Sequence, residues 1–183
     1  MQMFGRPRGI LGSLGGMVMA RVNHAAAIQV IDLLDVRSDN RVLEVGFGPG
    51  VGIQRLASRA SSCHVAGIDS SQEMVRQAAA RNAEAIRQGR VDLRHGSVQA
   101  LPFTDETFHK VVAINSMQVW PDPGSGLREI RRVLKVGGDL ALGFTKYSGQ
   151  PKRGIVETLA AAGFAGVRIV EWEDAFCAIA SKP

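Results

Sequence analysis

The stretch Val42-Leu43-Glu44-Val45-Gly46-Phe47-Gly48-Pro49-Gly50 constrains this chain more than any other. Val42 to Val45 is a short apolar run of β-forming residues interrupted by one carboxylate. Glycines then follow at alternate positions, and Val51 to Ala60 carries the pattern of a helix. Strand, glycine turn and helix in succession bring bare backbone to a helix N-terminus, a layout suited to a bound nucleoside. Without Cβ atoms such a turn can bend tightly and a ligand can approach it closely.

The spacing does not fit a dinucleotide. A GxGxxG pattern needs glycine at position 51 counted from Gly46, or at 53 counted from Gly48, and those positions hold Val51 and Ile53. The pattern present is Glu-x-Gly-x-Gly-x-Gly. Glu44 at the strand end would repel a pyrophosphate but suits a ligand bearing an ammonium or sulfonium. Asp69, at the end of the next apolar run, is placed to accept hydrogen bonds from both hydroxyls of a ribose. The competing role for Asp69 is to cap the helix that follows, with Ser70 as the alternative cap.

Periodicity orders the rest of the chain. Met17 to Leu34 has helical spacing, and Arg41 to Val45 is the first strand. Cys63 to Ile68 forms a second strand ending at Asp69. A single helix is expected from there to about Gln88, opened by Asp69-Ser70-Ser71 with Glu73. Val91 to Arg94 is a third strand. Phe108 to Asn115 is the most apolar of these strands, as a central strand covered on both faces should be. Pro121 to Gly126 reads as a turn, Leu127 to Leu134 as an amphipathic helix closing at Gly137-Gly138, and Asp139 to Phe144 as strand five. Gly154 to Ala162 is helical. Val167 to Val170 and Ala175 to Ala180 are joined so tightly through Glu171 to Asp174 that they must be antiparallel.

Strands alternating with helices and closed by a hairpin indicate an α/β fold of three layers, Rossmann-like, with a seven-stranded, mostly parallel sheet and an antiparallel last strand. With 183 residues, of which 45% are hydrophobic, a single domain spans 1–183, with an arm and lid helix over 1–40 and the α/β core over 41–183. Ligands of such sheets sit beyond the carboxyl ends of the strands. That rule gathers Glu44 to Gly50, Asp69, Gly96 to Val98, Asn115 and Phe144 to Tyr147 on one rim.

Other signals bound the partners. The net charge of +5 is spread along the chain as a solvated surface, although it permits an anionic partner. Cys63 and Cys177 lack CxxC spacing and read as buried thiols in a reducing, cytoplasmic compartment. No His, Cys and carboxylate cluster has metal-ligand spacing, so no metal is expected. Met1 to Gly16 is basic and glycine-rich, which allows peripheral membrane contact but not a spanning segment.

Four motifs in order resemble the class I S-adenosylmethionine-dependent methyltransferases, especially the small-molecule type related to quinone-biosynthesis enzymes. They are Val42 to Gly50, Gly67 to Met74, Ala100-Leu101-Pro102-Phe103, and Leu127 to Gly138. The resemblance implies S-adenosyl-L-methionine as cofactor. It places Glu44, Gly46, Gly48 and Gly50, with Phe47 between them, at the cofactor's methionine end. Asp69 would bind the ribose, with Ser70 nearby and Met74 against the adenine. Ser97 and Val98 would border the adenine, and Asn115 would lie near the sulfonium. The chain departs from the family pattern at Ser97 and His109, where Asp is usual, and at Val136, where Pro is usual. His109 falls at the strand end away from the site and reads as structural.

Methyl transfer by in-line displacement needs alignment more than a base, so the cofactor motifs identify no catalytic residue. His24 and Tyr147 are the candidates. The acceptor expected is a small or amphipathic molecule, a phospholipid or quinone precursor included. Asn115-Ser116-Met117-Gln118 is not the loop of nucleic-acid and protein amide methyltransferases, which argues against nucleic acid. Phe4 to His24 would form most of the lid. The alternative function is a non-catalytic cofactor-binding partner subunit or an RNA-associated module.

Overall fold

The computed structural model describes residues 25–59 and 63–183. Residues 25–33 are helical (α1). They are followed by β1 (Arg41–Val45), α2 (Val51–Arg59), β2 (His64–Asp69), α3 (Gln72–Arg81), α4 (Ala83–Arg87) and β3 (Val91–His95). The second half holds β4 (Phe108–Ile114), α5 (Pro123–Val133), β5 (Leu134–Thr145), α6 (Ile155–Ala161), β6 (Ala165–Trp172) and β7 (Ala175–Ser181).

The strands form one sheet in the order β3-β2-β1-β4-β5-β7-β6. The first five run parallel, and β7 lies antiparallel between β5 and β6. The three-layer α/β expectation holds, including the reversed last strand. Each sheet face buries its own apolar layer. Leu43, Val45 and Val111 point toward α5 and α6 with Leu127, Ile130 and Leu159, whereas Val42, Val65 and Val112 meet Ile31, Ile53 and Leu56 on the other side. Alternation along β1 therefore sends Glu44 to the α2 side.

Several boundaries differ from the sequence reading. The helix expected to run to Gln88 breaks at Asn82, whose side-chain amide donates to the carbonyls of Gly50 and Ala78 (3.1 and 2.9 Å). The segment read as a turn at Pro121 to Gly126 already belongs to α5. Asp122 caps that helix by accepting from the Ser125 N–H (3.2 Å), and Pro123 occupies its first turn, where no N–H is needed. Strand β5 starts at Leu134, earlier than Asp139, because Phe108 pairs with Leu134 before a register shift. The residue that caps α3 is Ser71, not Asp69 or Ser70; its Oγ accepts from the Met74 N–H (3.4 Å).

Chain order reverses beside β1. From β1 the chain moves outward to β2 and β3, then crosses to β4 on the other flank. That switch point opens a crevice beyond the carboxyl ends of β1 and β4.

Candidate active site

The crevice holds a cavity of about 320 Å³. Gly46 and Gly48, Asp69 and Ser70, Ser97 and Val98, and Asn115 all line it, so residues from four separate segments of the sequence meet there. Among the residues expected at the site, Glu44, Phe47, Gly50 and Met74 do not line it.

The three glycines do different work. Gly46 has φ +73°, and a Cβ there would lie 2.1 Å from Ser116 Oγ across the crevice. Gly50 has φ +81°, and its Cβ would strike Ala78 of α3 at 2.6 Å. Only Gly48 (φ +53°) looks onto open space, with nothing within 4 Å of where a Cβ would stand. Two of the glycines thus serve packing around the turn, and one leaves the space into which a ligand can come. Phe47 between them turns into the core, 4% exposed, beside Ile53 and against Gly67.

Asp69 is the joint of the site. One carboxylate oxygen accepts from the Gly48 N–H (2.8 Å) and the other from the Ser71 N–H (2.9 Å). The turn after β1 and the turn after β2 are therefore held by one side chain. Each oxygen retains a further lone pair for a ligand hydroxyl.

Glu44 lies behind the turn, under the first turn of α2, where Gly52 leaves room: a Cβ at Gly52 would stand 2.2 Å from the Glu44 carboxylate. The side chain is buried, and Oε2 has no hydrogen-bond partner among the described residues. Burial, with the neighbouring Asp69 carboxylate adding to it, pushes its pKa up to about 8. An orphaned buried carboxylate is costly. It fits a ligand that brings positive charge, such as the ammonium and sulfonium of S-adenosyl-L-methionine.

On the far wall, Asn115 takes φ +48°, and its Oδ1 accepts from the Thr145 N–H and hydroxyl (2.8 and 3.2 Å). That links the ends of β4 and β5. Ser116 Oγ accepts from the Trp120 indole N–H (2.9 Å), which fixes the ring at the cavity's edge. Val119, Trp120 and Pro121 complete the mouth, and Val119 is 63% exposed. Sequence reasoning did not place Ser116, Val119 or Pro121 at the site, and read Trp120 only as a core or rim residue. The sequence signal was there in Gly46, since a glycine at a strand end marks a close approach from a neighbouring strand.

A second tier supports the first. Arg81 Nε donates to the Pro49 carbonyl (2.9 Å) beside the Asn82 bond to Gly50, so the end of α3 holds the glycine turn. In the loop after Ser97 and Val98, Glu129 accepts from the Leu101 N–H (2.9 Å), and Arg132 donates to the Leu101 and Phe103 carbonyls (3.0 and 2.8 Å). Arg132 also pairs with Glu129 and Asp105.

Tyr147 does not reach the cavity. It sits on a 3-10 turn, 49% exposed, with the Lys146 ammonium 5.3 Å from its ring centre. His24 and the expected lid, Phe4 to His24, lie outside the described residues. The cysteines are free and buried as expected; burial raises the pKa of Cys63 and pushes that of Cys177 up to about 12. No group among the described residues could hold a metal ion.

A family model described as a methyltransferase domain matches residues 42–138. An uncharacterized methyltransferase of Bacillus subtilis is 31% identical over 93% of this chain and 98% of its own length. A phosphatidylethanolamine N-methyltransferase of Cereibacter sphaeroides is 36% identical over 56% of this chain and 49% of its own. Among solved structures, a SAM-dependent methyltransferase from Aquifex aeolicus superposes with a TM-score of 0.78 at 22% identity, covering 86% of this chain and 89% of that one.

Proposed function

We propose that this chain, which belongs to the class I S-adenosylmethionine-dependent methyltransferases, methylates a small or amphipathic molecule. The observation that carries the choice of acceptor is the apolar lip of Val119, Trp120 and Pro121 at the cavity mouth. An aliphatic side chain left 63% exposed beside a ligand cavity suits an acceptor with an apolar part. The Cereibacter relative's named substrate is a phospholipid, which agrees with that chemistry.

When bound, the cofactor supplies a methyl group on a sulfonium, which an acceptor atom takes by in-line displacement. The chain's residues hold and align. Asp69 would accept from the ribose hydroxyls while its bonds to Gly48 and Ser71 keep it fixed. Glu44, behind the glycine turn, would supply negative charge on the side of the methionine end, and the backbone at Gly46 and Gly48 would form the floor. Ser97 and Val98 would border the adenine. Asn115, on the cavity wall, would lie near the sulfonium.

Incubation with methyl-labelled S-adenosyl-L-methionine and a cell extract split into lipid, small-molecule, protein and nucleic-acid fractions tests the acceptor class. Label should enter the lipid or small-molecule fraction. Label confined to protein or nucleic acid overturns the reading. Isothermal titration with the cofactor alone reports binding independently of the acceptor.

A further inference from the structure

At the opposite end of the sheet, where β1 and β4 begin, Asp35, Arg37, Asn40, His109, Lys110, Lys135 and the Val136 to Gly138 turn enclose a second cavity of about 240 Å³. Its volume lies below the roughly 300–1,000 Å³ of pockets for drug-sized ligands, so a small ion or one end of a larger molecule is the occupant that fits.

The hydrogen bonds of His109 determine what chemistry this cavity takes. The Arg41 backbone N–H donates to His109 Nδ1 (3.0 Å). Nδ1 is therefore the acceptor, and the ring proton sits on Nε2. Yet Nε2 stands 3.0 Å from the Lys135 ammonium, which has three donors and no lone pair. Rotating the ring by half a turn would surrender the Arg41 bond and bring no acceptor to the lysine. Two donors thus face each other with nothing between them to accept. Burial, with Lys135 next in effect, lowers the His109 pKa, which keeps the ring neutral and preserves this arrangement.

The surrounding charge has the same sign. Arg37 and Lys110 stand on the same wall, against the carboxylate of Asp35, and Asp39 also acts on His109. Lys110 is already bonded to Asp139 (2.5 Å), and no ion pair among the described residues engages Lys135. The Gly137 N–H is committed to the Lys182 carbonyl, so the available donors are side chains.

We infer that this cavity binds a phosphate group, held between the His109 Nε2–H and the Lys135 ammonium with Arg37 at its rim. A tetrahedral dianion offers more acceptor oxygens than a carboxylate and can accept from all three donors at once. The site is separate from the cofactor crevice. A strand of β1's length puts the two roughly 15 Å apart along the sheet.

The test is titration of the full chain with inorganic phosphate in low-salt chloride buffer, with and without saturating S-adenosyl-L-methionine. The His109 ring nitrogens are followed by NMR. Phosphate should bind saturably, shift the His109 Nε2 resonance, and bind equally well with the cofactor present. Lys135→Met, at a partly buried position on β5, should weaken binding at least tenfold; Lys152→Met, in the loop before α6, should leave it unchanged. A 5′-mononucleotide that binds more tightly than the free ion identifies a nucleotide as the source; one that binds no better identifies the ion. No saturable binding, a silent His109, or unaltered affinity in Lys135→Met overturns the assignment. Loss of phosphate binding on cofactor addition overturns it as well, because it moves the ion to the crevice.

Discussion

At the scale of single residues, Glu44 has the most to lose and gain from protonation. Its pKa is about 8 in the folded, cofactor-free protein against 4.5 for an ordinary glutamate. Between those values the native state holds a proton that the unfolded chain has lost. Stability from this group is therefore full below pH 4.5 and declines as pH rises to about 8, by at most about 1.4 kcal/mol per pH unit. Urea midpoints of wild type should fall across that window relative to Glu44→Gln, which has no proton to lose. The same substitution should weaken cofactor binding tenfold or more, since an amide offers no charge to an ammonium or sulfonium. Calorimetric titration at pH 7 in buffers of different ionisation enthalpy should show proton release on cofactor binding by wild type and none by Glu44→Gln. Gly46 makes a second residue-scale prediction. Gly46→Ala places a methyl 2.1 Å from Ser116 Oγ at φ +73° and should cost about 1–3 kcal/mol in thermal unfolding. Adding Ser116→Gly should recover the steric part of that loss and leave the backbone part. Glu44, Gly46, Gly48 and Asp69 were legible because their types are rare at strand ends and recur at fixed spacing. Ser116 and Val119 were not, because a serine and a valine after a strand carry no period.

At the scale of elements, the structure couples two motifs that sequence reading could only place side by side. Glu129 and Arg132 of α5 close on Leu101, Phe103 and Asp105, and that loop begins at the cavity-lining residues Ser97 and Val98. Arg132→Met should lower stability by about 2–4 kcal/mol, because it leaves Glu129 and two carbonyls without their partner. Cofactor affinity should fall severalfold in the same variant, read by titration under conditions where it is still folded. Helix periodicity found α2, α5 and α6 but misplaced two boundaries for identifiable reasons. The break at Asn82 depends on a tertiary bond to Gly50, 32 residues away, and no local window contains it. The start of α5 was hidden because Pro123 reads as a breaker until Asp122 is seen as its cap. Strand β5 was read short for a similar reason: Lys135 to Gly138 looks like a turn, and only the pairing of Leu134 with Phe108 of β4 extends it.

At the scale of the whole molecule, the parallel sheet and its switch point followed from the alternation of strands and helices, and the crevice lies where that topology requires. The distribution of charge between the two ends of the sheet did not follow, since it arises from residues far apart in sequence. Residues 1–24 lie outside the description, and the expectation that Phe4 to His24 covers the acceptor is open to a direct test. Removing residues 1–20 should reduce turnover much more than cofactor affinity; an equal loss of both would sink the idea. The position of β7 has a consequence for synthesis. Strand β6 is made before β7 yet stands outside it, so it has no partner in the sheet until β7 fills the gap beside β5. On the ribosome, β3-β2-β1-β4-β5 can assemble while β5 still presents an open edge, and such an edge recruits other chains. The hairpin must then arrive as a unit, and the interval before it docks is when the nascent protein most needs a chaperone.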